Sequence, residues 1–318
     1  MVVMTPSLHT PVLLNEALEY LDVRPDGVYA DCTTGLGGHS EAIAAKLGPD
    51  GVLLCLDQDG DALEFARARL APFGRRVRFV RENFRELASV AASEGLTAFD
   101  GILMDLGISS MQVDRADRGF SFGKDGPLDM RMDRRAALTA ADIVNTWDQT
   151  ELADLFYMYG EERQSRRIAA AIVRARPFAT TAGLAKAVEQ AVGGVRGRNQ
   201  IHPATKVFLA LRIRVNGELD SLDTVLPQAH SLLGFGNSTT GGRLVVISFH
   251  SLEDRIVKQY LRREATECLC PPRMPECRCG HRATLRLLTH RAVRPGGDEL
   301  VTNPRARSAV LRAAERIL

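Results

Sequence analysis

The sequence predicts an α/β fold, a Rossmann-like core built on a parallel doubly wound sheet and interrupted by an all-helical domain. Two observations predict it. Short apolar runs alternate with amphipathic stretches through the first hundred residues, the pattern of βαβ units that pair into a parallel sheet. The gap between the fourth and fifth apolar runs is too long for one crossover connection, and it carries helical spacing without clear strands.

The elements follow in order. Val28–Thr34, Val52–Asp57, Val77–Val80 and Ile102–Leu106 are short and apolar and read as buried strands. Between them His39–Leu47, Asp59–Leu70 and Phe84–Ser93 have helical spacing, with stops at Gly48-Pro49-Asp50-Gly51 and Pro72-Phe73-Gly74. Residues 115–135 form a polar stretch with Gly and Pro. Helical signals follow at Ala140–Thr146, Glu151–Tyr159, Gln164–Arg176 and Thr181–Val192, then a basic loop from Gly193 to Arg198. A long helix runs from Pro203 toward Asn216 and another from Leu219 to Leu233. Strand character returns at Arg243–Phe249, Thr284–Thr289 and Ser308–Ala313. The expected division is a core of residues 1–115 and 203–318 and a helical insertion of residues 116–202.

A chain of 318 residues with 45% hydrophobic and 25% charged residues can bury a full core, which excludes disordered and fibrous classes. No apolar run approaches the roughly 18–20 residues of a membrane span. Met1–Asn15 lacks a basic n-region and carries Pro6, His9 and Pro11, so it does not read as a signal peptide. The six cysteines are unevenly placed, and the expected compartment is the reduced cytoplasm. Net charge is only +2, but residues 1–162 sum to −12, 163–215 to +10 and 255–318 to +8. Such asymmetry points to a polyanion partner, against the plainer reading of solvated helix faces.

The loop Asp31–Ser40 follows the first strand and opens the first helix. Its glycines Gly35, Gly37 and Gly38 allow close backbone approach to a ligand, and a helix N-terminus offers N–H groups to an anion. Asp57 ends the second strand, where a carboxylate can accept both ribose hydroxyls. Up to this point NAD and S-adenosylmethionine both fit. Two details favour the methyl donor. Ser40 stands where G-x-G-x-x-G has its third glycine, and the fourth strand ends in the polar loop Asp105-Leu106-Gly107-Ile108-Ser109-Ser110. Phe84 is placed either to cover an adenine face or to pack in the core.

With these residues assembled, the chain resembles the bacterial 16S ribosomal RNA cytosine-N4 methyltransferases of the MraW/RsmH type. The resemblance spans nearly the whole length: His9-Thr10-Pro11-Val12, Gly35–Ser40, Asp105–Ser110, Arg118–Phe122, Gly126–Met132, Gly160-Glu161-Glu162, His202-Pro203-Ala204, Ser248–Arg255 and Asn303–Ser308. It implies a class I methyltransferase core with a helical insertion. It also implies S-adenosylmethionine as cofactor, and N4 methylation of a decoding-centre cytosine in 16S rRNA of the small ribosomal subunit. The donor contacts it implies are Gly37, Gly38, His39, Asp57, Phe84, Asp105 and Gln112. No membrane partner is expected, because no apolar run is long enough to span one, and a homodimer stays open.

Cytosine N4 is a poor nucleophile that gains positive charge and must lose a proton as the new bond forms. Asp105 is the first candidate for that task and His250 the second. Against His250 stands the spacing Ser251-Leu252-Glu253-Asp254, which fits a helix capping box. No cysteine nucleophile is required for an exocyclic nitrogen, and Cys32 and Cys55 read as small core residues. The base must leave its stack, and Arg166, Arg167, Arg174, Arg176, Arg196, Arg198, Lys206, Arg212 and Arg214 are candidates to grip phosphates.

Cys268-Leu269-Cys270 and Cys277-Arg278-Cys279 read as an ordinary loop, and no metal is assigned. Zinc and a labile disulfide are the alternatives, the C-x-C spacing being tighter than the usual C-x₂₋₄-C. An NAD-dependent oxidoreductase fits the first sixty residues but not the Asp105 loop or the insertion. A non-catalytic RNA-binding protein explains the charge but not the donor pocket.

Overall fold

A computed structural model describes residues 11–194, 202–234, 241–271, 274 and 276–317. Two compact units compose it, one from Met1–Gly107 with Asp220–Leu318 and the other from Ile108–Leu219. The first half of the first unit runs α1 (Leu14–Leu21), β1 (Val28–Asp31), α2 (Gly38–Lys46), β2 (Val52–Leu56), α3 (Gly60–Leu70), β3 (Val77–Val80), α4 (Leu87–Ser93) and β4 (Gly101–Asp105). The second unit holds α5 (Ser110–Asp114), α6 (Ala140–Thr146), α7 (Gln149–Met158), α8 (Ser165–Ala175), α9 (Thr181–Val192) and α10 (Ala204–Asn216). The chain then continues through α11 (Glu218–Leu232), β5 (Arg243–Ser248), α12 (Ser251–Glu264), β6 (Leu285–Leu287), α13 (Gly297–Thr302) and β7 (Val310–Arg316).

The sheet order is β3-β2-β1-β4-β5-β7-β6. The pairs from β3 through β5 are parallel, whereas β7 runs antiparallel to both β5 and β6. The sheet is therefore mixed at one end, where the sequence pattern predicts only parallel pairing. Alternation explains why the central strands read as unbroken apolar runs. Ile102 and Met104 face the core under α4 and α11, while Leu103 between them faces the core under α1 and α2. A strand buried on both faces has no polar side to show. The chain leaves β1 toward β2 on one side and reaches β4 on the other, and the crevice at such a switch point is where parallel α/β sheets bind ligands. Asp31, at the end of β1, and Asp105, at the end of β4, border it on the carboxyl edge.

Local chemistry adjusts several boundaries. Phe84–Glu86 is a separate 3-10 turn because the Asn83 side chain accepts from Arg85 N and caps it, and α4 starts only at Leu87. The helix α1 carries no side-chain cap and is anchored by burial of Ala17 and Leu21. β7 extends to Arg316 where the sequence pattern stops at Ala313, because its last residues pair with β6.

The second unit is all-helical among its described residues. Side chains of Ser109, Thr139 and Asp148 close capping boxes with Gln112, Asp142 and Glu151, each substitution of such a cap costing about 1 kcal/mol. Its core takes in Ile143, Leu152, Phe156, Ile168, Leu184 and Leu211. The unit includes α5 and α10, which sequence bounds of 116–202 leave out. The polar 115–135 stretch is structural. Buried Arg118 donates to the carbonyls of Arg131 and Met132 at 3.0 Å, and Asn216 donates to Met130 O at 2.9 Å and accepts from Met132 N at 2.7 Å. Among the described residues no helix is long and apolar enough to cross a membrane.

Candidate active site

The carboxyl edge of the first unit gathers three carboxylates around the glycine loop. Asp31 is buried, and its Oδ2 accepts from Ser40 Oγ at 2.6 Å while Oδ1 accepts from Thr33 N at 3.1 Å. Thr33 Oγ1 in turn accepts from Asp105 N at 2.6 Å, tying β1 to the end of β4. Ser40, which breaks the dinucleotide glycine pattern, thus has a structural task. Asp31 and Thr33 are missed by sequence reasoning. The available signal was an acid at the last position of the first strand, directly before the glycine loop.

Gly37 sits at φ +80, a conformation costly for any side-chain-bearing residue, and turns the chain into α2 without a side-chain cap. At Gly38 a Cβ would fall 2.5 Å from Pro11 Cγ. The first turn of α2 thus keeps its leading N–H groups free of a side-chain cap, while its His39 and Ser40 side chains reach Asp105 and Asp31. Asp57 lies one residue past β2. Its Oδ2 accepts from Gly35 N at 2.7 Å and its Oδ1 from Asp59 N at 2.9 Å. Burial pushes its carboxyl up to about 6, against the two backbone donors that pull it down. Burial likewise raises Asp31 to about 6, against the Ser40 and Thr33 hydrogen bonds.

Asp105 is the least satisfied member. Its Oδ1 is shut from solvent and has no hydrogen-bond partner. Its Oδ2 lies 3.5 Å from His39 Nδ1. His39 Nε2 lies 3.0 Å from Val12 O, and a carbonyl only accepts, so Nε2 carries a proton. Burial, then the negative charges of Asp31 and Glu253, hold the Asp105 carboxyl well above the usual carboxylate range. A cation bound against it would reverse that bias.

Other candidates fall elsewhere. Phe84 is half-buried in its 3-10 turn and packs against the core under α4. His250 is the N-cap of α12, one residue earlier than the Ser251 cap expected from spacing. Its Nδ1 accepts from Glu253 N at 3.5 Å, and its Nε2 lies 3.1 Å from Glu253 Oε1 without the alignment of a hydrogen bond. Gln112 belongs to the second unit, where its Oε1 accepts from Ser109 N at 3.0 Å. Arg166, Arg167 and Arg174 are exposed on α8, opposite its buried Ser165, Ile168, Ala169 and Ile172. Lys206 is exposed and donates to Glu161 O at 2.8 Å, and Arg214 stacks over Trp147 at 5.3 Å. Two expected phosphate contacts are corrected. Arg176 lies beyond α8 and binds the carbonyls of Val144 and Trp147, and Arg212 makes a two-pronged pair with Glu218 at 2.7 and 2.8 Å. Arg196 and Arg198 lie outside the described residues.

A family described as the MraW methylase family matches residues 6–317. The chain belongs to the MraW methylase family. It is a methyltransferase, and S-adenosylmethionine is its methyl donor. Its relatives include a Ribosomal RNA small subunit methyltransferase H of Dehalococcoides mccartyi, 53% identical over 98% of this chain and 87% of that protein. One of the same name from Thermomicrobium roseum is 54% identical over 97% of this chain and 94% of that protein. A solved rRNA methylase of Streptococcus thermophilus overlaps 98% of this chain and 100% of that one, with 9% identity and a TM-score of 0.43, too remote to bear on the argument.

The residues of this MraW methylase suit that donor. A carboxylate oxygen has two lone pairs, so each Asp57 oxygen keeps acceptor capacity for a ribose hydroxyl after taking one N–H. The uncapped first turn of α2 suits a carboxylate. The buried, unpartnered Asp105 Oδ1 suits a donor group or a cation.

Proposed function

We propose that this MraW-family enzyme methylates N4 of a decoding-centre cytosine in 16S rRNA of the small ribosomal subunit, in the cytoplasm. The observation that carries the reading is the orphaned Asp105 Oδ1 at the carboxyl edge of the sheet, beside the glycine loop. The choice of substrate is supported by relatives named for the small-subunit rRNA and by the ordered motif matches.

In this reading Gly35, Gly37, Gly38 and His39 hold the amino-acid end of the donor, Asp57 the ribose hydroxyls, and Phe84 the adenine face. S-adenosylmethionine supplies an electrophilic methyl group on a sulfonium. Asp105 accepts an N–H of the cytosine amine, orients its lone pair, and takes the proton as charge builds on nitrogen. Burial and the neighbouring negative charges favour the protonated carboxyl in the absence of ligand, and the positive sulfonium of the bound donor would favour the carboxylate that this task requires. His39 Nδ1 lies 3.5 Å from the other Asp105 oxygen and, with Nε2 already carrying a proton, donates to that carboxylate as the imidazolium. His250 serves as a positioning residue that orients Glu253, whose Oε2 accepts from Phe249 N at 2.9 Å. Cys32 and Cys55 are buried with thiols pushed up by burial, so neither offers a thiolate for covalent attack. The exposed cations Arg166, Arg167, Arg174 and Lys206 contact phosphates while the base is drawn from its stack.

The test is methyl transfer from labelled donor to small-subunit particles lacking the modification, followed by nucleoside analysis. N4-methylcytidine that disappears with Asp105→Asn is the expected result. Label in C5-methylcytidine, or in the large subunit, would overturn the reading.

A further inference from the structure

The chain between the end of α12 at Glu264 and the start of β6 at Leu285 has no regular secondary structure among its described residues. Among those residues it also lacks a core of its own, since Leu269 is 43% and Met274 42% exposed. Hydrophobic burial therefore does not explain its shape. Long connections without secondary structure inside a compact unit are otherwise uncommon. Four cysteines nevertheless converge in it. The sulfurs of Cys268, Cys270, Cys277 and Cys279 all lie within 4.8 Å of one another.

The spacing of the sulfurs discriminates between explanations. Cys268 lies 3.4 Å from Cys277 and 3.8 Å from Cys279, and Cys277 lies 3.6 Å from Cys279. A disulfide would bring two sulfurs to about 2.05 Å, and all four thiols are free. Pairwise bridging would also draw two sulfurs together and leave the others apart. A tetrahedral ion with metal–sulfur bonds of about 2.3 Å places its ligands roughly 3.8 Å from each other, close to the observed edges.

Backbone N–H groups complete the pattern. Cys270 N donates to Cys268 Sγ at 3.4 Å. Leu269 N, inside the first C-x-C, donates to Cys279 Sγ at 3.3 Å, and Arg278 N, inside the second, donates to Cys270 Sγ at 3.4 Å. The two turns thus reciprocate, each offering N–H groups to a sulfur of the other. Such donors stabilise negative charge on sulfur, as thiolate ligands require. The short C-x-C spacing, unfavourable on paper, is accommodated by these two facing turns.

We propose that Cys268, Cys270, Cys277 and Cys279 bind one Zn²⁺ as thiolates, each thiol releasing its proton to solvent as its sulfur–zinc bond forms. Four soft ligands in a tetrahedron select zinc or iron among common metals, and a site that only fastens a surface segment needs no redox chemistry. The ion cross-links the two turns and holds the α12–β6 connection in the absence of a core. It takes no part in methyl transfer.

Elemental analysis of protein purified under reducing conditions is the test. About one zinc per chain is expected, falling below roughly a tenth of that in the Cys277→Ser/Cys279→Ser double variant. Metal-stripped, reduced wild-type protein titrated with Co²⁺ is expected to develop the intense visible absorption of a tetrahedral tetrathiolate site, saturating at one equivalent and bleached by Zn²⁺. This second measurement stands even if the double variant fails to fold. Wild-type protein without bound metal and without the cobalt spectrum overturns the proposal. Bound iron in place of zinc overturns the choice of metal, and two disulfides found by mass under reducing conditions overturn the site.

Discussion

The sheet unit and the helical unit treat their charged candidates in opposite ways. At the carboxyl edge of the sheet, Asp31 and Asp57 are held by backbone and hydroxyl donors, while Asp105 has His39 Nδ1 at 3.5 Å from Oδ2 and no hydrogen-bond partner at its buried Oδ1. On α8, Arg166, Arg167 and Arg174 stand exposed with no ion pair among the described residues. Buried polar groups are strongly coupled and individually costly to disturb. Exposed cations act weakly, additively and through a screened field. The first arrangement suits a small ligand read atom by atom, and the second a polyanion read as a surface.

The sharpest way to break the comparison is Asp105→Asn, which keeps shape but removes the proton acceptor. Methyl transfer is expected to fall by about 10²- to 10⁴-fold with donor affinity, measured by calorimetry, changed far less. An equal loss in both would assign Asp105 to donor binding alone. Asp31→Asn tests the desolvation of the cluster. The folded Asp31 titrates at about 6 against an ordinary 3.8, so its favourable contribution is full below the ordinary value and is lost as pH rises through about 6. Relative to the Asn variant, wild-type stability is expected to decline by about 3 kcal/mol across that window. Denaturant midpoints that differ by a constant amount from pH 4 to 7 would refute it.

Asp57→Ala is expected to weaken S-adenosylmethionine binding by roughly 10- to 100-fold, the worth of about one hydrogen bond to a charged acceptor. Unaltered affinity would remove Asp57 from the donor site. Effects in the helical unit are expected to be smallest per residue. Arg166→Ala, Arg167→Ala and Arg174→Ala should each reduce the salt slope of RNA binding by about 0.7 to 0.9, with near-additive losses when combined and donor affinity intact. A single substitution that abolished RNA binding would erase the contrast between the units.

Much of this was legible in advance because period and punctuation are local. Val77–Val80 and the helices Ala140–Thr146 and Thr181–Val192 stand at the bounds their sequence patterns predict. The glycine loop, Asp57 and Asp105 lie at strand ends because polar residues there interrupt apolar runs. What stayed illegible depends on partners distant in sequence. Asp31 looks like any strand-end acid until Ser40 and Thr33 close on it. Arg176 and Arg212 look like Arg166 until Val144, Trp147 and Glu218 claim them. His250 reads only as a neighbour of a capping box until the fold makes its Nδ1 the cap and leaves its buried Nε2 without a hydrogen-bond partner.

The sequence by itself determined the alternation of strand and helix, the glycine turn and the cluster of positive charge, since these follow from side-chain periodicity and backbone freedom within a few residues. Only the tertiary structure decided which carboxylate oxygen is left unpartnered, which arginines are already engaged, and that two C-x-C turns bring their sulfurs together. Those outcomes depend on desolvation and on distances between residues remote along the chain, and no local pattern encodes either.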